Sequence, residues 1–378
     1  HRPSDRGGTT CGAAVSSSAA ALSAVRNDHR GSAGTIPRMR ILLSGASGFV
    51  GSTVLAHVLA NTDWHVTCPV SYRHHGDGAR INAVLDTQPD ARNRVDVIAH
   101  DLALPITPVL AEQIGPVDYV WNIASESHVD RSLTGPVPFV RNNVELQLNM
   151  LEYARLAKPR MFLHMSTDEV FGPAAEGYRH HEWDSIRPSN PYAASKAAQE
   201  AIAYSYWRAL GVPLLVTNTM NLLSPAPQAS EKFIPKIARA IYRGDKLTVH
   251  ASPEGVSGSR CWVDARDFAA AWLWLTQHFD GDERLTYYPT MPTGPLRYNI
   301  VGEEATNLDV ALRMAAAAGR TLDYELIDYH GQRPGHDHRY ALDGSKLAEL
   351  GWPGPRPLDD TLTDIVKWYA DNPTWLAA

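Results

Sequence analysis

A doubly wound parallel α/β sheet with a smaller C-terminal α/β lobe is the fold class this sequence predicts, and three observations carry the prediction. Short apolar segments of strand length alternate with helix-length segments from Met39 onward, and strands separated by helices pair in parallel through right-handed crossovers. The first of those strands runs directly into a glycine turn, Gly45-Ala-Ser-Gly48-Phe-Val-Gly51, which opens the first helix. At 378 residues the chain exceeds what one hydrophobic core usually serves, so a second lobe is expected.

Residues 1–38 are rich in Ser, Ala, Gly and Arg and show neither strand alternation nor a capped helix. They are expected to form a disordered extension outside the fold, with Met39 as the natural start and a transit peptide as the sharper alternative. Residues 39–225 form the expected dinucleotide-binding domain of Rossmann type. Its elements follow in order: a strand at Ile41 to Ser44, the glycine turn, a helix from Ser52 to Ala60, and strands at His65 to Val70, Val95 to Ala99 and Tyr119 to Ile123. A helix from about Pro136 to Leu156, a strand at Met161 to Met165, a helix from about Tyr192 to Leu210 and a strand at Pro213 to Asn218 complete it. After Asn221 the alternation weakens and Pro225, Pro227, Pro235 and Pro253 punctuate shorter elements, so residues 226–378 are expected to form the substrate-facing lobe.

Composition narrows the function classes. Thirty-five Lys and Arg against 41 Asp and Glu give a formal charge of -6, with 44% hydrophobic and 20% charged residues, as in ordinary globular domains. Without a basic patch the chain lacks the footprint needed to bind nucleic acid. No apolar run is long enough to span a bilayer, which takes roughly 18 to 20 residues, so no membrane partner is expected. Three cysteines, Cys11, Cys68 and Cys261, are far apart and suit a reducing cytoplasm. The adjacent histidines His74-His75 and His180-His181 have no further histidine at helical spacing, so no metal is expected.

The glycine turn needs residues without Cβ, both for left-handed backbone and to let helix N-terminal N–H groups approach a pyrophosphate. Dinucleotide binding follows. In such sites an acid closing the second strand hydrogen-bonds the ribose 2′-hydroxyl and selects NAD. Here the segment reads HVTCPVSYR and carries none, Pro69 and Val70 standing near that place. Arg73 and Arg80 lie downstream, where either could pair with a 2′-phosphate or simply face water, so NADP stays open beside NAD.

Tyr192-Ala-Ala-Ser-Lys196 puts a phenol and an ammonium one helical turn apart on one face. A fixed Lys196 cation, helped by a positive nicotinamide ring, is expected to lower the tyrosine pKa and make its phenolate a base. The strand Met161 to Met165 ends in Ser166-Thr167-Asp168-Glu169-Val170-Phe171-Gly172, and open α/β sheets bind ligands beyond such strand ends. Asp168 and Glu169 there provide two carboxyl groups suited to separate jobs as acid and base.

These motifs, together with Glu126-Ser-His-Val-Asp-Arg-Ser132 and Arg333-Pro-Gly-His-Asp-His-Arg-Tyr340, resemble the dTDP-glucose 4,6-dehydratases of the extended short-chain dehydrogenase/reductase superfamily. The resemblance covers essentially Met39 to Ala378. It implies a homodimeric lyase of nucleotide sugar metabolism that acts on a nucleoside diphosphate hexose in three steps. Bound NAD oxidises C4, water leaves across C5 and C6, and the hydride returns to C6, giving a 4-keto-6-deoxy sugar for deoxysugar biosynthesis. Carried over by motif, Tyr192 is the C4 base with Thr167 as its hydrogen-bonding partner and Lys196 as its cation. Asp168 protonates the departing C6 hydroxyl and Glu169 takes the C5 proton. Gly45, Gly48, Phe49, Val50, Gly51, Asp101, Leu102, Ile123, Ala124, Ser125 and Asn142, with Tyr192 and Lys196 themselves, are expected beside the cofactor. Ser127, Thr167, Asn221, Glu231, Lys232, Arg260, Asn299, Arg333 and His336 are expected to line the sugar-nucleotide site, Arg260 facing the diphosphate.

The sequence departs from that family at four places. The acid of the second strand is missing, and the paired asparagines become Asn221-Leu222. The segment that approaches the nucleobase reads Thr248-Val-His250-Ala251, and the fourth strand reads WNIASES, whose Asn122 is similar to the NADP-dependent GDP-mannose dehydratases. A C4 epimerase or a UDP-glucuronate decarboxylase would use the same fold, and a non-catalytic nucleotide-binding protein is the alternative of a different class. The Asp168-Glu169 pair favours dehydration over simple epimerisation.

Overall fold

The computed structural model describes residues 38–287, 294–328 and 338–376. The expected extension, along with Arg333 and His336, lies outside the described residues apart from Arg38.

Seven parallel strands form the central sheet: β1 (Arg40–Ser44), β2 (His65–Val70), β3 (Val95–Ala99), β4 (Tyr119–Asn122), β5 (Met161–Thr167), β6 (Leu214–Thr219) and, much later in the chain, β10 (Leu296–Ile300). Their spatial order is β10-β6-β5-β4-β1-β2-β3. Every pair is parallel, with Ser44 opposite Asn122 and Thr167 opposite Thr219 at the carboxyl ends. The strands are continuous β-branched and aliphatic runs because helices cover both faces. Ile41, Leu42 and Leu43 are consecutive and fully buried, which only a two-sided sheet permits.

From β1 the chain winds outward to β2 and β3, then returns across β1 to β4. A crevice therefore opens at the carboxyl ends between β1 and β4, where the winding direction reverses. The helices Phe49–Asn61, Pro136–Ala157 and Pro191–Leu210 each begin at that rim. The sequence placed these elements to within three residues. The strand ending at Met165 runs on to Thr167, whose hydroxyl then accepts the Glu169 N–H at 3.4 Å and starts a short turn.

The expected division at residue 225 requires correction. Strand β10 pairs with β6, and helix Ala265–His278 packs on helix Phe49–Asn61 in the main core. The physical reason is the apolar face of that helix: Phe268, Trp272 and Leu275 are fully buried, and Trp272 meets Trp121 of β4 edge-on at 5.6 Å. Only the remainder makes the smaller lobe. It holds β7 (Leu222–Leu223), β8 (Leu247–Ala251), β9 (Ser259–Asp264), β11 (Glu303–Thr306) and β12 (Tyr324–Asp328), paired as β11-β9-β7 and β12-β8. Helices Phe233–Arg243, Asn307–Ala317 and Leu358–Asp371 close a separate core around Ile237, Val310 and Ile365.

Candidate active site

Between the sheet's carboxyl edge and the smaller lobe runs a cleft of about 1210 Å³. The glycine turn forms one end of it. Gly45 adopts a left-handed φ of +79°, and a Cβ there would meet the Ala124 backbone at 3.1 Å. A Cβ at Gly51 would fall 2.1 Å from the Gly45 carbonyl oxygen, so the turn closes only with glycine at that place. Helix Phe49–Asn61 starts here without a side-chain cap, leaving its first N–H groups for a ligand anion. This cradle fits a dinucleotide pyrophosphate.

Beneath the turn, Ser44 Oγ accepts the N–H groups of Ile123 and Ala124 at 2.9 and 3.0 Å and donates to Asn122 Oδ1 at 2.7 Å. Asn122 Nδ2 in turn donates to Gln147 at 2.6 Å. Asn122 is thus a buried brace between β1 and β4 and does not line the cleft.

The expected cofactor residues Gly45, Gly48, Phe49, Val50, Gly51, Asp101, Leu102, Ile123, Ala124, Ser125 and Asn142 all line the cleft. The expected catalytic residues Thr167, Asp168, Glu169, Tyr192 and Lys196 line the same cleft, as do Ser127, Asn221, Glu231, Lys232 and Arg260. Asn299 does not join them. It is fully buried on β10, where its N–H donates to Glu182 at 2.9 Å and its amide donates to the carbonyls of His180 and Asp343 at 3.0 and 2.9 Å. It ties two loops to the sheet, so its expected place in the sugar-nucleotide site is corrected. Arg80 is also corrected as a phosphate partner. Its buried guanidinium donates to the carbonyls of Pro227, Ser47 and His75, clamping three loops together.

Asp168 is buried at the strand end. Thr167 Oγ1 donates to its Oδ1 at 2.8 Å, and Oδ2 has no protein partner. Burial, then the neighbouring Glu169, push its pKa up to about 7. Glu169 accepts the Asn190 amide at 2.9 Å. Two adjacent carboxyl groups therefore have different surroundings, as an acid and base pair requires.

Tyr192 stands on the first turn of helix Pro191–Leu210, its N–H donating to Ser132 Oγ at 3.2 Å and its ring meeting Phe139 edge-on at 6.3 Å. The expectation that Lys196 lowers its pKa is not met in the protein alone. Burial, reinforced by Glu169 and Asp168, drives the phenol far upward against a hydrogen bond with Thr167. Lys196 donates to the Met165 carbonyl at 2.7 Å and Gln199 Oε1 at 2.6 Å, and burial lowers it to about 7. Tyr192 is thus neutral at rest and needs further positive charge to give up its proton.

Several supporting residues escaped the sequence reading. Asn143 donates to Ser195 Oγ at 2.9 Å and its carbonyl accepts Gln199 Nε2 at 2.7 Å, locking the tyrosine helix to helix Pro136–Ala157. Nothing in the local sequence marks Asn143 or Gln199. Asn190 was readable, since Asn followed by Pro191 is a helix start signal.

Among the described residues no group of three or more His, Cys, Asp or Glu could hold a metal ion, and no helix is long and apolar enough to cross a membrane.

Residues 41–288 match the NAD dependent epimerase/dehydratase family. A dTDP-glucose 4,6-dehydratase of Shigella flexneri is 30% identical over 363 residues, spanning 89% of this chain and 94% of that protein. The low-salt glycan biosynthesis protein Agl12 of Haloferax volcanii is 32% identical over 332 residues, spanning 88% and 98%. Among solved structures, a dTDP-glucose 4,6-dehydratase from Streptomyces venezuelae with NAD bound is 29% identical, with a TM-score of 0.76 over 89% of this chain and 98% of that one. A UDP-glucose 4-epimerase of Thermus thermophilus in complex with NAD, 24% identical with a TM-score of 0.73 over 88% and 99%, shares the fold.

Proposed function

Since the chain belongs to the NAD dependent epimerase/dehydratase family, we propose that it is a dTDP-glucose 4,6-dehydratase, an NAD-dependent lyase that removes water from its sugar nucleotide. One observation carries the reading beyond the family. Asp168, held by Thr167 and pushed to about 7, stands beside Glu169 at the strand end whose Thr167 hydrogen-bonds the Tyr192 phenol. An epimerase acting only at C4 has no use for that second acid and base.

Gly45, Gly48, Gly51 and the uncapped start of helix Phe49–Asn61 would hold NAD, which when bound would supply a positively charged ring for hydride exchange with C4 and C6. The chain's own groups manage the protons. Tyr192, oriented by Ser132 and Phe139, takes the C4 hydroxyl proton, with Thr167 placed to hydrogen-bond at the same oxygen. Once C4 is a ketone the C5 proton is acidic, and Glu169, fixed by Asn190, removes it. Asp168 is largely protonated below pH 7 and hands its proton to the departing C6 hydroxyl. Lys196 stays in place through Met165 and Gln199 and contributes its charge in the protonated form, which burial confines to pH values up to about 7.

Toward the small lobe, Arg260 is pinned by the Ser259 and His338 carbonyls at 2.7 and 3.0 Å and stacks over Tyr340 at 4.6 Å. A planar guanidinium held so firmly suits a diphosphate. Lys232, tied to the Ser127 carbonyl at 3.1 Å, adds a second cation. We assign the enzyme to the cytoplasm as a homodimer, in keeping with its unpaired buried Cys68 and Cys261; light scattering tests the dimer.

Incubation with dTDP-glucose should yield a product lighter by one water without reduced dinucleotide accumulating in solution. Stoichiometric reduced dinucleotide, or no mass change, sinks the assignment.

A further inference from the structure

We propose that Arg73 is a cofactor-selecting residue that gives a 2′-phosphate a partner, so that the cleft accepts NADP nearly as readily as NAD. The inference rests on the dinucleotide reading of the glycine turn and concerns only the ribose end of that ligand.

Three observations converge on the loop after β2. The strand closes on Pro69 and Val70 and continues into Ser71, all lining the cleft, so the strand end itself carries no carboxylate to bond a 2′-hydroxyl, and the nearby Asp101 carboxylate is held by Arg73. Arg73 follows within reach and lines the same wall with its side chain 44% exposed, unlike the buried Arg80. Its guanidinium is also positioned beforehand. Nη1 pairs with Asp101, Nη2 donates to Asn142 Oδ1 at 3.1 Å, and His74 Nε2 lies 3.2 Å from Nη2. Asp101 and Asn142 engage two of the five N–H donors of an arginine, and His74 Nε2 takes a third only when it is not donating to Glu126, which leaves at least two for a ligand.

The backbone supports the same reading. Tyr72 and His74, the two residues flanking Arg73, adopt left-handed φ values of 51° and 55°, costly for residues with a Cβ. The loop's conformation is therefore maintained by its contacts, including His74 to Glu126 at 3.2 Å and His75 to Glu231 at 2.7 Å. Asp101 also bears on the choice: it offsets part of the Arg73 charge, which keeps the site open to NAD as well.

The purified protein, incubated to equilibrium with equal NAD and NADP, gel-filtered and denatured, gives the retained ratio directly by mass. The expected ratio lies within about tenfold of unity. Arg73→Ala should lower the NADP share by about tenfold or more, one charge-assisted contact, while NAD occupancy holds. Arg73→Lys should keep part of that share. Ser71→Asp, at an exposed position, should expel NADP and spare NAD. Exclusive retention of NAD by the wild type, or an unchanged ratio in both Arg73→Ala and Ser71→Asp, overturns the assignment of Arg73. Retention of neither dinucleotide would instead strike down the reading of the cleft on which it rests.

Discussion

Asn190 holds Glu169 with one end of its amide and caps a helix with the other: Nδ2 donates to Glu169 Oε2 at 2.9 Å, and Oδ1 accepts the Ala193 N–H at 2.9 Å. Glu169, the proposed C5 base, is thus registered against the helix that presents Tyr192. The two roles separate by substitution. Asn190→Asp keeps a good cap but offers no donor and sets a second carboxylate beside Glu169, whereas Asn190→Ala loses both. The alanine variant should lose about 1 kcal/mol of stability. The aspartate variant should melt close to the wild type yet wash solvent deuterium into C5 at least about tenfold more slowly. Unimpaired exchange in Asn190→Asp would mean that Glu169 does not depend on this contact.

The acid has a pH signature of its own. With a folded pKa near 7 against an ordinary carboxyl value of 3.8, the native state binds the Asp168 proton more tightly than the unfolded chain does. Its contribution therefore lowers stability as pH rises from about 4 to about 7. Asp168→Asn removes that penalty and should melt higher than the wild type at pH 8, with the gap closing toward pH 4. It should also lower the rate of water loss by about 10² to 10⁴ while C4 oxidation survives. In the wild type, water loss should decline above about pH 7; melting curves and single-turnover rates across pH check both halves.

Under the Thr167 end of β5 lies a buried ion pair whose members do not line the cleft. Arg297 of β10 lies 3.0 Å from Glu200 and donates to Asn218 Oδ1 at 2.7 Å, while Asn218 donates to the Thr167 carbonyl at 2.9 Å. The guanidinium also stacks over Phe171 at 4.8 Å. Both charges are buried, so removing one strands the other. Glu200→Gln should cost about 3 to 5 kcal/mol in urea unfolding, and the paired Glu200→Leu, Arg297→Met exchange much less. Equal losses in both variants would show that packing, not the stranded charge, sets the cost.

What the sequence could show follows from how each feature is encoded. The glycine turn, the Tyr192 and Lys196 spacing and the Thr167-Asp168-Glu169 strand end are local patterns, and the fold brings all of them to one cleft. The place of β10 was missed because strand neighbours far apart in sequence leave no local trace, and Leu296 to Ile300 reads like any short strand. Asn299 was assigned by motif to the substrate but is spent on His180, Glu182 and Asp343, partners that converge only after folding. Charge was harder still. Spacing set Lys196 one turn from Tyr192 correctly, yet burial decides the pKa of both, and burial is a property of the packed helix pair, which spacing alone does not encode.

The glycine turn supports a last prediction, because its three glycines are not equivalent. A Cβ on Gly51 would lie 2.1 Å from the Gly45 oxygen and 2.5 Å from its carbonyl carbon, both backbone atoms with nowhere to go. Gly48 has an ordinary φ of -88°, and its Cβ would meet only the Gly45 oxygen, at 3.2 Å. Gly51→Ala must therefore push the first turn of the helix away from β1, opening the anion cradle and disturbing the buried contacts of Val54 and Leu55. Gly48→Ala needs a shift of a few tenths of an ångström. The Gly51 variant should retain less than about a tenth of the wild-type dinucleotide through gel filtration and melt several degrees lower, a cost of about 1 to 3 kcal/mol. The Gly48 variant should keep most of both. Equal retention in the two would show that the cradle tolerates a wider turn than its backbone contacts imply.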